Sequence, residues 1–290
     1  MLTWGGFNIV GANAEKRIEI DTAQKKLAKQ VQSEMDALEV ETDGNGWLAK
    51  VFLYCLEIEC PESGWKVPLL PSLIISKGYK MVARLIPVPT EKRYDIEIVH
   101  VATDTEVEKA KIGTLQDRDI VHSPDGKTIY RVSINNIRGD YKDGKDNKNG
   151  LRLWEKSDFI PRPDDIFQER LYCVQWMKQK SKVSKKFDYQ FRSVTADDLK
   201  REQKVIDFVG SHLSDWQENG FIADMVIEKG VETERLYRER GWTHWHHLFN
   251  PRQLLVASLI RKNLLASDLH ILAQPEHPFC SNLNTYSETS

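Results

Sequence analysis

From residue 47 to residue 134 the apolar residues come in short runs, broken by prolines at 61, 68, 71, 87 and 89. That punctuation excludes a long helix across the segment. Proline lacks the amide that a helix interior or a central strand must donate, so it falls at edges and turns. The runs Trp47–Glu59, Val67–Leu70, Leu73–Ser76, Met81–Ile86, Tyr94–Val101 and Ile129–Ile134 are rich in β-branched and aromatic residues and predict short strands. In one of them Tyr94, Ile96, Ile98 and His100 alternate with Asp95, Glu97 and Val99, which predicts one wet face.

The flanks have a helical period. Leu27, Val31, Met35 and Leu38 form one apolar stripe on a charged rod, with Ile20 two turns upstream, predicting a helix over residues 14–40. Asn13 can cap its start, and Asp43-Gly44-Asn45-Gly46 signals a turn after it. Thr195 and Asp198 form a capping box ahead of an apolar face of Leu199, Val205, Ile206, Val209, Leu213 and Trp216, and Gly220 is a natural stop. A second helix is predicted from Glu232 to Arg240, and a third begins at Asn250-Pro251. The expected class is α+β: an N-terminal helix, a mainly antiparallel β middle and a helical C-terminal part. The expected divisions are a helical arm at 1–42, a β-rich insert at 43–194, a helical region at 195–273 and a flexible tail at 274–290.

With 290 residues, 40% of them hydrophobic, the chain can bury a sizeable core. Its 41 basic and 43 acidic residues leave a net charge of −2, so any contact with nucleic acid must come from a local patch. Four scattered cysteines, Cys55, Cys60, Cys173 and Cys280, suit a reducing compartment better than a disulfide framework. The first residues lack the pattern of a signal peptide, and no run reaches the roughly 18 apolar residues of a membrane span. A cytoplasmic protein with no membrane partner is expected.

Few motifs carry chemistry. Gly5, Gly6 and Gly11 resemble a nucleotide loop, but only four residues precede Gly5 and such a loop needs a strand before it, so a structural turn is expected. The polar stretch at 140–150 does not have calcium-loop spacing and reads as a solvated loop. His244, His246 and His247 invite a metal reading, yet no carboxylate lies within four residues on either side, and a hydrogen-bonded structural role is expected. The densest basic run holds five lysines in nine residues: Lys178, Lys180, Lys182, Lys185 and Lys186. Phe187, Tyr189, Phe191 and Arg192 follow. Lysines neutralise phosphates and aromatic rings stack on bases, so this run is a DNA-binding candidate. The alternative is a solvated loop before a strand with buried aromatics. Arg162, Arg170 and Arg238 are weaker candidates. So is Arg252, a cation in the first turn of its helix, where it opposes the dipole and implies a carboxylate or phosphate partner.

Four stretches together resemble one family. They are Thr3-Trp4-Gly5-Gly6-Phe7-Asn8, Cys60-Pro61-Glu62-Ser63-Gly64-Trp65-Lys66-Val67-Pro68-Leu69, the segment from Pro161 to Cys173, and Trp242 to Leu255 with its Phe249-Asn250-Pro251-Arg252-Gln253-Leu254-Leu255 core. They look like the large bacterial adenine-specific DNA methylases that begin with a domain of unknown function. The likeness runs from about residue 3 to about residue 265. In that family the glycine loop for S-adenosylmethionine lies upstream of this region and the catalytic Pro-Pro tetrapeptide lies downstream. The resemblance therefore implies an internal insert, plus the helix that re-enters the catalytic domain. The chain contains no Pro-Pro pair, so it lacks the element that grips an extruded adenine. The reading is a DNA-recognition or scaffold insert with no catalytic residues and no donor bound by this chain alone, partnered by DNA and by the remaining methylase polypeptide. The alternative is a non-catalytic interaction module or a functionless truncated product.

The resemblance also implies a zinc ribbon, degenerate here. Ser63 stands where a second cysteine usually follows Cys60, and the second knuckle falls at His122-Ser123-Pro124-Asp125-Gly126, without cysteine. Cys60, His122 and, further off, Cys55 are the donors left. Zinc prefers four thiolate or imidazole ligands, so none is expected, and apolar packing of Trp65, Val67, Leu69 and Leu70 is expected to hold the ribbon.

Overall fold

The computed structural model describes residues 14–101, 103–144, 146–181 and 185–267. The Asn13 cap, Gly5, Gly6, Gly11, Lys182, Cys280 and the tail lie outside them. The chain is α+β, as expected, with an N-terminal helix, a mixed and mostly antiparallel sheet in the middle, and helices at the C-terminal side.

Helix α1 (Ala14–Leu38) is followed by strands β1 (Leu48–Glu59), β2 (Lys66–Leu69), β3 (Ile74–Ser76), β4 (Met81–Val88) and β5 (Arg93–His100). A short helix α2 (Asp104–Lys109), strands β6 (Leu115–Gln116), β7 (Asp119–His122) and β8 (Tyr130–Ser133), and helix α3 (Ile134–Arg138) come next. Then follow β9 (Tyr141–Asp143), β10 (Asp146–Lys148), β11 (Gln168–Gln179) and β12 (Phe187–Ser193). Helices α4 (Ala196–Glu218), α5 (Glu234–Arg240) and α6 (Pro251–Leu265) close the described chain, with a 3-10 turn at Trp245–Leu248.

The main sheet has seven strands in the order β12-β11-β1-β2-β5-β4-β3. Its spine is the long antiparallel pair of β1 and β11, in which Val51 faces Gln175 and Cys55 faces Arg170. Only β2 and β5 pair in parallel, through Lys66 and Arg93. In β5, Tyr94 and Ile96 are buried while Asp95 and Glu97 are exposed, so the expected wet face is present. The stretch at 140–150 differs from the expected loop. Tyr141–Asp143 and Asp146–Lys148 pair as a small antiparallel hairpin, stitched by Lys148 to Asp143 and pinned where Asn149 donates to the Arg238 carbonyl.

The helices share one core. Val31, Met35 and Val40 pack with Val205, Val209, Leu213, Trp216, Leu254, Leu255 and Leu259. Helix α1 therefore packs within the helical layer. Glu34 accepts from Lys262 at 3.1 Å and from Asn263 at 2.8 Å, which ties α1 to α6. The expected caps form. Thr195 Oγ1 accepts from the Asp198 amide and the Asp198 carboxylate accepts from the Thr195 amide. Asn250 and Gln253 do the same for α6, with Pro251 in its first turn.

Candidate functional site

The α6 cap aims Arg252 inward, across to the sheet. Arg252 is only 7% exposed, and its guanidinium carbon lies 3.8 Å from the Phe52 ring centre. Nε donates to Glu202 Oε2 of α4 at 2.6 Å, while the Tyr54 hydroxyl of β1 donates to Oε1 at 2.8 Å. One carboxylate thus joins the sheet, α4 and α6. Burial, followed by the charge of Glu202, pushes the Tyr54 hydroxyl far above its ordinary pKa, so it stays a donor. The partner that a cation in a first helical turn implied is this internal carboxylate. Arg252 is accordingly not available to a phosphate.

A groove of about 830 Å³ runs beside this junction, between the β1–β11 face and α4. Glu57 and Arg170 pair across its floor at 2.6 Å. Glu169 also lines it, exposed to solvent, and makes no hydrogen bond within the described residues. Loss of solvent, then the charge of Glu202, raises its carboxyl pKa, opposed by Arg240.

Next to the groove a smaller cavity of about 210 Å³ is walled by Leu56, Trp154, Phe167 and Trp242, and among its polar groups Arg240, Glu169 and Asp164 have no close partner within the described residues. The loop that shapes it is rigidly tied. Arg152 donates to Asp165 at 2.9 and 2.7 Å and also to Asp158, while Arg162 donates to Asp158 at 3.0 Å. Gly241 lets this loop approach α5: its φ is +72°, and a Cβ there would lie 2.0 Å from the Arg152 carbonyl oxygen. No side chain fits that position.

The lysine run sits on the β11–β12 hairpin, and much of it is engaged within the fold. Lys178 donates to the Asn45 carbonyl at 3.0 Å and lies over Trp47. Lys180 pairs with Asp188 at 2.9 Å. Arg192 pairs with Asp43 at 3.0 Å and stacks on Trp47 and Trp176. Lys185 and Lys186 are exposed. The aromatics after the run are not buried as a strand core would be. Phe187 is exposed, and Tyr189 and Phe191 line a shallow surface pocket of about 600 Å³ with Tyr79, Lys80 and His100.

The two stretches expected to form knuckles do meet. Gly64 and Gly126 both have left-handed φ, +68° and +69°, and Ser63 Oγ lies 3.2 Å from His122 Nε2. The Tyr94 hydroxyl holds the other ring nitrogen at 3.1 Å, and burial keeps His122 below its ordinary pKa. Cys60 is fully buried beside Val67, Leu69, Tyr94 and Ile120. One thiol, one hydroxyl and one imidazole do not make a zinc donor set. Among the described residues no group of three or more metal-capable side chains converges. A zinc-ribbon element is not what this region displays; hydrogen bonds and apolar packing join its turns.

His247 is used structurally. Its Nδ1 accepts from the amides of Thr243 and His244 at 3.2 and 3.3 Å, so Nε2 carries the proton, 3.0 Å from the Glu155 carbonyl. Burial, then the neighbouring His246, drives its pKa down to about 3. His246 is 0% exposed, and the carbonyls of Lys156 and Asp158 face it without closing well-formed hydrogen bonds.

Sequence reasoning missed the Arg240 cavity. Its parts come from residues 56, 150–169 and 240–242, and no local pattern links them. Comparison of the chain with protein-family models, with curated proteins and with solved structures finds no match.

Proposed function

We propose that this chain is the DNA-recognition or scaffold insert of an adenine-specific DNA methyltransferase, acting with a polypeptide that binds S-adenosylmethionine and carries the catalytic tetrapeptide. The observation that supports this reading is the β11–β12 hairpin, which carries exposed Lys185 and Lys186 at its tip and, further along β12, Tyr189 and Phe191, which line a surface pocket with Tyr79. Exposed cations on a hairpin that also carries partly exposed aromatic rings suit a phosphate backbone with accessible bases. The chain itself transfers no methyl group, because it has no Pro-Pro tetrapeptide.

Two measurements test the reading. DNA affinity of the purified chain should fall with salt, and Lys185→Gln with Lys186→Gln should flatten the log–log slope by up to about 0.9 for each phosphate no longer neutralised. An affinity indifferent both to salt and to these substitutions removes the recognition role. Labelled methyl groups appearing on DNA with this chain alone would overturn the non-catalytic assignment.

A further inference from the structure

Arg240 carries an unusual load. Its guanidinium lies 5.3 Å from the Phe167 ring centre and 5.6 Å from that of Trp242, and it makes no hydrogen bond or ion pair within the described residues. Burial lowers its pKa, while Glu239 and Glu169 act on it only at a distance. Arg240 is half-buried, so its N–H fork, held on two rings without a bonded partner, is open to a ligand. Glu169, across the same cavity, is a carboxylate without a bonded partner. The cavity therefore presents an unmatched donor fork, unmatched acceptors at Glu169 and Asp164, and indole walls. Its lining holds two arginines, Arg152 and Arg240, against three acids, Asp164, Asp165 and Glu169, a balance of −1. That disfavours an anion and favours a neutral body with both an acceptor and an N–H donor. At about 210 Å³ the space is below the usual range of roughly 300–1,000 Å³ for drug-sized ligands, so it suits a single flat ring system.

A second groove, of about 410 Å³, is lined in part by Arg238 and Glu239 of α5 and has five cations, Arg118, Arg138, Lys142, Lys148 and Arg238, against two acids, Asp140 and Glu239. Arg138 is committed to Asp140, and Lys148 to Asp143. Arg118 and Lys142 have no partner within the described residues, and Arg238 reaches only its neighbour Glu239, at 3.7 Å. The two features are joined. The Gly150 amide donates to the Arg138 carbonyl at 2.8 Å, and Asn149 donates to that of Arg238. The charge of Arg138 is felt at Arg240.

We propose that a nucleotide occupies these two features together, its base in the aromatic cavity and its phosphate against the cationic groove. Every nucleobase offers a ring or carbonyl acceptor beside an N–H donor, which matches Arg240 and Glu169, and stacking on an indole stabilises a base by about 1–3 kcal/mol. The anionic part goes where cations exceed acids. The site uses none of the hairpin lysines, so it stands or falls separately from the recognition surface proposed above.

The test is a calorimetric titration of the whole chain with adenosine monophosphate, cytidine monophosphate, ribose 5-phosphate and a short single-stranded oligonucleotide. The mononucleotides should bind, with ribose 5-phosphate weaker by about tenfold or more, the loss of one stack. Arg240→Gln and Glu169→Gln should each weaken nucleotide binding by about tenfold. Lys142→Gln with Arg238→Gln should weaken it and flatten its salt dependence. Lys185→Gln with Lys186→Gln should leave mononucleotide affinity unchanged. If Arg240→Gln loses its melting transition, the isosteric Glu169→Gln carries the result. Mononucleotides bound as tightly as the oligonucleotide identify a free nucleotide; a much tighter oligonucleotide that Glu169→Gln still weakens identifies one unit of a strand. Absence of binding by any nucleotide at millimolar concentration, ribose 5-phosphate binding as well as the mononucleotides, or affinities untouched by both cavity variants would overturn the assignment.

Discussion

Two arginines, twelve residues apart, sit on aromatic rings in opposite states. Arg252 lies on Phe52 with Glu202 bonded to it and Tyr54 completing that carboxylate. Arg240 lies on Phe167 and Trp242 and is bonded to nothing in the described chain. The first is closed: every strong charge has its partner, and three elements meet at it. The second opens on a cavity beside an unpaired carboxylate. Similar stacking therefore serves two ends. A satisfied guanidinium holds the sheet to the helices, while an unsatisfied one marks a place for something else to bind.

The contrast is open to measurement, the largest effect first. Glu202→Ala strands the Arg252 charge in the interior and should cost about 3–5 kcal/mol in urea unfolding. A loss below about 1 kcal/mol would mean that the closed site does not hold the layers together. Tyr54→Phe removes one hydrogen bond to a charged acceptor and should cost about 1.5–3 kcal/mol by the same assay.

Acid comes next. His247 is held at a pKa of about 3, and His122, His244 and His246 are lowered as well, chiefly by burial. The unfolded chain binds these protons first, so this stabilisation is full above the ordinary histidine pKa of about 6.5. It declines by about 1.4 kcal/mol per pH unit per histidine as pH falls towards the folded value. Glu41 and Glu169, raised by burial, act in the opposite sense. Unfolding midpoints should fall between pH 7 and pH 5, and His247→Gln should flatten the slope. An equal slope in the variant breaks the argument. The smallest effect belongs to the open site. Arg240→Gln should change stability by no more than about 1 kcal/mol, because it removes a cation–π contact and an unrepaid desolvation together. A large loss would place Arg240 with Arg252 as a structural residue.

Local chemistry was legible in the residues alone. The stripe at Leu27, Val31, Met35 and Leu38 and the caps at Thr195 and Asn250 appear where the residues predict them, because each depends on contacts a few residues apart. The proline-broken runs locate β1, β2, β3, β4, β5 and β8 for the same reason. The pairing of β1 with β11 was not legible, since it joins residues more than a hundred positions apart. Nor was the hairpin at Tyr141–Lys148, whose strands are entirely polar and exposed and so leave no hydrophobic alternation to read.

The same division runs through the candidate sites. By itself the sequence determined that an α+β chain with no Pro-Pro tetrapeptide and a concentrated lysine run would form, and that Arg252 required an anionic partner. Which anion it met, which lysines were spent on Asp188 and the Asn45 carbonyl, and that Arg240 met none were decided by tertiary structure. The physical reason is that an ion pair or a cavity is a property of distances between segments. Those distances exist only once the sheet has closed against the helices.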